Sequence, residues 1–437
     1  MIKKLRIQLV SFAALIIFVL FYPSFDLGVN SLIKINFTNE YLILFFKKIT
    51  HLGDSVWFFS LSIIGYFLSF FAKKIAKKTE IYQKLQTFFL FLFSTTLITG
   101  FLTQVVKHVL GRSRPNHNYE IDLIAFDFFS FESTLHSFPS GHTSTIFIVA
   151  LTVGWLLPNI KYFLFLFASI VGFSRVVLEA HYLTDIVGGA ILASIGFCIT
   201  VSLFNKIKVN LKSLTSSTKR SNPFELILYV LFICIIFFTI GSDLDIFISE
   251  LFYEGDKVFL LQSFSKITIF ARKLFLPFIL LYLIIIPLVF YYPSIKKIYF
   301  NYNFSSKEVF FIFFSTIFNL VIFVNLFLKN FWGRARPNDI VNLGGEYFFT
   351  PWFKITDSCA TNCSFVSGDA SVGFCIIVLF LITKNKFYLW TSLLSGFFLG
   401  SIRVLEGGHF LSDIIIACFL IYILYYLQIY FFKRNQI

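Results

Sequence analysis

Three cationic side chains, two histidines and a carboxylate in the first half of the chain are spaced for phosphate chemistry. Lys107 and Arg114 stand seven residues apart in KHVLGRSRP, two helical turns, so a helix presents both on one face. Arg175 opens RVVLEAHYLTD, in which His181 and Asp185 are four apart and share a helical face. Between these segments FPSGHTSTIF, Phe138 to Phe147, sets Ser140, Gly141 and His142 at the mouth of an apolar run. A phosphate ester needs its equatorial oxygens neutralised, a nucleophile in line and a proton for the leaving alcohol. Arg114 and Arg175 offer planar forks to phosphate oxygens, and Lys107 offers a point charge. Ser140 and the Gly141 N–H stand where a helix N-terminus would receive an anion. Asp185 can hold the His181 ring and stabilise its cation, leaving the other ring nitrogen to attack phosphorus.

The pattern returns in the second half. KNFWGRARP carries Lys329 and Arg336 at the same spacing, FVSGDAS pairs with FPSGHTS, and RVLEGGHFLSD pairs with RVVLEAHYLTD. Ser367, Gly368, Asp369, Arg403, His409 and Asp413 are the corresponding candidates. Weaker echoes are FDLGV against SDLDI and KKIT against SKIT. The chain therefore reads as a tandem repeat. Its expected organisation is a first membrane domain over 1–206, a polar basic linker over 207–223, and a second membrane domain over 224–437.

The elements that must hold these residues are apolar. Of 437 residues, 57% are hydrophobic and only 14% charged, where a soluble domain has about a quarter charged. Hydropathy predicts an all-α polytopic membrane protein of about twelve spans, from Ile7–Phe25 to Ile414–Phe432, six per half. Two units of even span number face the same way, unlike the inverted repeats of many transporters. Most lysines fall on one side of this arrangement, including Lys73, Lys74, Lys77, Lys78 and those of the linker. That side and both termini are expected to be cytoplasmic. The net charge of +14 is thus mainly topology and does not imply a nucleic-acid partner. Lys107, Arg114 and Arg175, with Lys329, Arg336 and Arg403, lie opposite, where the rule disfavours cations and an anionic ligand would favour them. Arg112 and Arg334 read equally well as interfacial anchors or ligand contacts. Glu179 and Glu406 receive no role.

K-x6-RP, PSGH and SR-x5-H-x3-D, taken together, resemble the three-part signature of the type 2 phosphatidic acid phosphatase (PAP2) superfamily. The first half matches at Lys107, Arg114, Pro115, Pro139, Ser140, Gly141, His142, Ser174, Arg175, His181 and Asp185. Order and spacing are similar to the six-span lipid phosphatases of bacterial membranes. The resemblance implies that His181 is a nucleophile forming a phosphohistidine, that His142 protonates the leaving oxygen, and that water then releases phosphate. It implies no metal and no cofactor, and a site on the periplasmic or outer face of the inner membrane. The second half departs from the pattern at Asp369 for histidine, Val366 for proline and Ile402 for serine. An ionised Asp369 would repel phosphate and donate no proton, so the second half reads as a slow second phosphatase, one with a different substrate preference, or a degenerate half that supports the first, and a retained but altered site is the expectation.

A headgroup phosphate reaches a site at the membrane–water interface by lateral diffusion, which favours lipid phosphates over soluble esters. Lipid A phosphate, undecaprenyl diphosphate, phosphatidylglycerol phosphate and phosphatidate are the candidates the resemblance supplies. Two alternatives stand beside hydrolysis: phosphotransfer from the same phosphohistidine to a second lipid, and a non-catalytic lipid transporter or scramblase. Cys359 and Cys363 in DSCATNCSF could form a disulfide, while Cys198, Cys234, Cys375 and Cys418 read as packing residues within spans.

Overall fold

The computed structural model describes residues 2–75, 79–117, 124–209, 211, 214, 223–261, 265–291, 302 and 304–434. The chain divides into two compact units, Met1–Leu226 and Ile227–Ile437. Most of the expected linker (210, 212–213 and 215–222) and residues 118–123 of the first outer loop lie outside the described residues.

In the first unit, α1 (Ile2–Phe21) is followed by α2 (Pro23–Asn36), α3 (Glu40–Ile49), α4 (Ser55–Ile75), α5 (Thr79–Leu110), α6 (Gly141–Leu156), α7 (Lys161–Val177) and α8 (Leu183–Lys206). Proline at the first position of α2 cannot continue α1, and the pair bends by 80°. The second unit comprises α9 (Pro223–Ile240), α10 (Leu244–Glu250), α11 (Ser265–Tyr291), α12 (Ser306–Ile317), α13 (Lys329–Phe331), α14 (Gly368–Phe374), α15 (Ile377–Thr383), α16 (Lys386–Leu405) and α17 (Leu411–Arg434). A π-helical stretch, Phe318–Leu328, joins α12 to α13, where the first unit has the uninterrupted α5. A two-stranded antiparallel hairpin, β1 (Tyr253–Gly255) with β2 (Val258–Phe259), is added to the otherwise helical fold.

Seven helices are long and apolar enough to cross a membrane, or nine if each bent pair is one span, among the described residues. The multi-pass helical character holds, and a count of twelve spans is not confirmed among the described residues. Hydropathy alone did not separate the bent pairs α1–α2 and α9–α10, at 80° and 90°, from straight spans. The expected spans also include the shorter apolar helices at Gly141–Leu156, Lys273–Leu283 and Gly368–Thr383.

Small residues bring the helices of the first unit together. In lipid, close packing and polar contacts between helices replace much of the hydrophobic drive available in water. Gly188, Gly189, Ala193 and Gly196 are buried along α8, and Gly189 lies against the backbone of Ser140 and Ser144 at the start of α6. The hydroxyls of Thr95 on α5 and Thr152 on α6 meet at 3.2 Å. Phe12, Leu110, Phe138, Leu192 and Ile195 form a buried apolar cluster between α1, α5 and α8.

The cationic loop follows α5 directly. Gly111 takes φ +53, a left-handed turn that only glycine adopts without strain, and its side-chain-free face lies against the Asp127 carbonyl. Ser113 N–H then donates to Ala125 O at 2.9 Å, and Asp127 N–H to Gly111 O at 2.9 Å. At the far end of the loop, Ser140 N–H donates to Asp185 O at 3.0 Å, which ties the start of α6 to the start of α8.

Candidate active site

Lys107, Arg114, Gly141, His142, Arg175 and His181 line one cavity of about 280 Å³. Lys107 comes from the last turn of α5, Arg114 from the loop after it, and Gly141 and His142 from the first turn of α6. Arg175 ends α7, and His181 lies in the short turn before α8. A Cβ on Gly141 would sit 3.7 Å from the Lys107 ammonium, so the absent side chain leaves that cation open. Arg175 donates to Thr50 Oγ1 at 3.0 Å. Lys107 and Arg114 meet no acceptor for their side-chain protons among the described residues. Three cations around a half-enclosed space, two of them without an ion-pair partner among the described residues, make an anion-attracting pocket.

Asp185 is fully buried behind the histidine. Its Oδ2 lies 3.4 Å from Nδ1 of His181, at ion-pair distance but without hydrogen-bond geometry. The same oxygen accepts from Ser137 Oγ at 2.5 Å and from Tyr182 N–H at 2.9 Å. Burial comes first among the influences on His181 and lowers its pKa to about 3, with Lys107 and Arg114 adding to the effect and Asp185 opposing it. The imidazole is therefore neutral at physiological pH, as a nucleophile requires.

Ser140 lies elsewhere. It is buried and caps α6, its Oγ accepting from Thr143 N–H at 3.4 Å and from Thr143 Oγ1 at 3.0 Å. It does not line the cavity, so of the SG pair Gly141 alone faces the space where an anion would sit. Arg112 is neither an interfacial anchor nor a ligand contact. Its buried guanidinium donates to Asp185 Oδ1 at 2.5 Å, to Asp26 Oδ2 at 2.6 Å and to Thr184 Oγ1 at 2.9 Å, and it stacks on Tyr182. Burial alone would lower its pKa, but the two carboxylates outweigh that and raise it. Thr184 in turn donates its hydroxyl to Asp26.

Three contributors lie outside the three motifs: Asp26 and Thr50 fall in the weak FDLGV and KKIT echoes, and Asp54 in neither. Asp54 Oδ1 lies 2.7 Å from Nε2 of His142, and Gly53 beside it has no Cβ to strike the His142 side chain. A larger cleft of about 710 Å³ between α6, α7 and α8 is lined by apolar side chains such as Phe165 and Ile186 and by no titratable group.

A family model for the PAP2 superfamily matches residues 88–208 and 308–437, more than half of the chain. The chain belongs to the PAP2 superfamily. As a member it is a multi-pass membrane phosphatase. Among curated relatives, the lipid A 4'-phosphatase of Francisella tularensis subsp. novicida (strain U112) is 33% identical over 202 residues, 45% of this chain and 89% of the relative. The lipid A 1-phosphatase of Rhizobium etli is 30% identical over 148 residues, 33% of this chain and 63% of the relative. The crystal structure of the first transmembrane PAP2 type phosphatidylglycerolphosphate phosphatase from Bacillus subtilis is 24% identical, covering 47% of this chain and 98% of its own. Its TM-score is 0.35.

The second PAP2 region repeats the buried scaffold. Arg334 donates to Asp413 Oδ1 at 2.5 Å and to Asp245 Oδ2 at 2.9 Å, Ser364 donates to Asp413 Oδ2 at 2.6 Å, and Ser412 donates to Asp245 at 2.5 Å. Asp245 thus takes the part of Asp26, two residues beyond the position that FDLGV against SDLDI assigns. His409 Nδ1 is 3.7 Å from Asp413 Oδ2, and burial lowers its pKa to about 4, with Lys329 and Arg403 adding and Asp413 opposing.

The cations around it differ from those of the first region. Lys329 donates to Asn362 Oδ1 at 3.1 Å, Arg336 to Asn362 O at 2.7 Å, and Arg403 to Glu406 Oε2 at 2.5 Å. Asp369 Oδ2 lies 3.5 Å from Arg403 Nε. Ser367 caps α14 through Ala370 N–H at 3.5 Å, and Gly368 packs against Lys329. Asn362 is held in the loop closed by a Cys359–Cys363 disulfide. In the register of KKIT with SKIT, Arg272 stands where Asp54 does, so both members of the His142–Asp54 pair have changed.

Proposed function

We propose that the first half, over 1–206, hydrolyses the phosphate of a membrane lipid, with lipid A-type phosphates the preferred class. The carrying observation is the single cavity that holds Lys107, Arg114, Arg175, His142 and His181, with two of its cations unpaired among the described residues. The lipid A phosphatases of Francisella and Rhizobium among its relatives support the choice of substrate.

In the proposed reaction the phosphate sits between the three cations, and the Gly141 N–H at the start of α6 donates to one of its oxygens. The free ring nitrogen of His181 attacks phosphorus. An N–P bond forms, the P–O bond to the carrier breaks, and the departing oxygen takes a proton from His142. Asp185 stabilises the charge that develops on His181, and Asp54 holds the His142 ring. Water, deprotonated by His142, then cleaves the N–P bond to release phosphate and restore both histidines.

The second half, over 224–437, keeps the scaffold but does not turn over in this reading, because Asn362, Glu406 and Asp369 occupy its cations. The linker, 207–223, and both termini lie on the cytoplasmic side of the inner membrane, and the cavity opens on the other side.

Phosphate release by purified protein in chelator-treated buffer, from a lipid A monophosphate and from a soluble phosphate ester, tests the reading. Release from the lipid with little from the soluble ester is expected. Equal release from both would remove the case for a lipid substrate, and transfer of the phosphate to added lipid without free phosphate would favour a phosphotransferase.

A further inference from the structure

The cavity extends beyond the phosphate-binding cations along α5, where Thr96, Thr103 and Gln104 face Ser144 and Thr145 of α6. Most of these polar groups are already satisfied. Thr96 donates to Leu92 O at 2.9 Å, Thr103 to Thr99 O at 2.8 Å and Ser144 to Ser140 O at 2.9 Å. Gln104 and Thr145 differ. Neither the amide of Gln104 nor the hydroxyl of Thr145 meets a protein partner among the described residues, and both open onto the cavity.

Gln104 is exposed at the cavity wall near the end of α5, so its amide is free to meet a group that arrives with the substrate. The internal repeat supplies a comparison. In the register that aligns Lys107 with Lys329, Gln104 corresponds to Leu326. In the register that aligns His142 with Asp369, Thr145 corresponds to Val372. The cations at the cavity are the same residue types in both halves, whereas these two wall positions are polar only in the first half. Leucine and valine are close in shape to glutamine and threonine, so the exchange alters hydrogen bonding far more than volume.

We propose that Gln104 and Thr145 are specificity-determining residues that bind hydroxyl groups of the alcohol carrying the phosphate. They select phosphate esters of polyhydroxylated carriers, such as sugar-based lipids, over esters of a diacylglycerol. The amide can both donate and accept, the threonine hydroxyl likewise, and together they suit a carrier with hydroxyls near the ester oxygen. A carrier without them would leave both groups buried and unpaired under the bound lipid. The proposal rests on the reading of the first half as a lipid phosphatase.

The test compares kcat/KM for a glucosamine-based lipid monophosphate and for phosphatidate, in full-length wild type, Gln104→Leu, Thr145→Val and the double variant. Each single change is expected to cost about tenfold on the sugar lipid. The double variant should cost about a hundredfold there while phosphatidate hydrolysis stays within about twofold, which also shows that the variants fold. Equal losses on both lipids, or an unchanged preference, would overturn the proposal alone. Wild type inactive on both lipids would overturn the phosphatase reading and this proposal with it.

Discussion

The guanidinium of Arg112 lies 2.5 Å from Asp185 and bridges it to Asp26, directly behind the histidine that faces the cavity. Both carboxylates and the arginine are buried, so each charge depends on the others. Arg112→Met should leave two buried carboxylates uncompensated and cost about 3–5 kcal/mol of stability. Arg114→Met, at the cavity, should unfold near the wild-type temperature yet release little phosphate. Thermal unfolding in detergent distinguishes the two. An Arg112→Met protein as stable as wild type would show that the bridge contributes little.

Asp54 belongs to none of the family motifs, yet it touches the motif residue His142. Asp54→Asn should lower kcat by about 10- to 100-fold while KM changes by less than about threefold, because it weakens proton delivery and leaves the phosphate cations in place. Steady-state kinetics on a lipid phosphate checks this. A rise in KM at constant kcat would instead assign Asp54 to binding.

These two cases mark what the sequence could and could not disclose. Lys107, Arg114, Arg175, His142 and His181 were legible by residue type and motif spacing, and the cavity gathers all five. Asp26 and Asp54 were not, because they reach the site from the bent second helix and from the turn before α4, outside the matched family region, with no fixed spacing to any motif. Ser140 was ambiguous by type, since a serine before a helix serves equally as cap or ligand, and backbone geometry decides for the cap. Arg112 sits at the membrane edge by sequence, and only its partner 86 residues away makes it an internal brace. The helices were visible as apolar runs, but hydropathy does not see an 80° bend at Pro23.

The pKa of His181 gives a pH prediction with a definite sign. Burial lowers it from the ordinary value of 6.5 to about 3, so the folded protein keeps this ring neutral at pH 5, where the unfolded chain would protonate it. The resulting stability is greatest above pH 6.5 and falls as the pH drops toward 3. NMR of histidine-labelled protein, with the His181 signal assigned by its loss in His181→Ala, should show a neutral imidazole at pH 5. A protonated ring at that pH would count against the buried nucleophile.

The second half offers a stricter trial of the idea that its cations are occupied. Restoring the family residue with Asp369→His, in a His181→Ala background, should return no phosphate release. Lys329 and Arg336 would still be held by Asn362, and Arg403 by Glu406. Release above the His181→Ala background would mean that Asp369 alone had silenced this half.

The central claim is that one histidine of the first half carries the reaction. Phosphate release from a lipid A monophosphate by wild type, His181→Ala and His409→Ala addresses it most directly. The account predicts a loss of about 10³-fold or more for His181→Ala and a rate within about twofold of wild type for His409→Ala. A His181→Ala protein that keeps the wild-type rate, or a His409→Ala protein that loses it, would contradict the account.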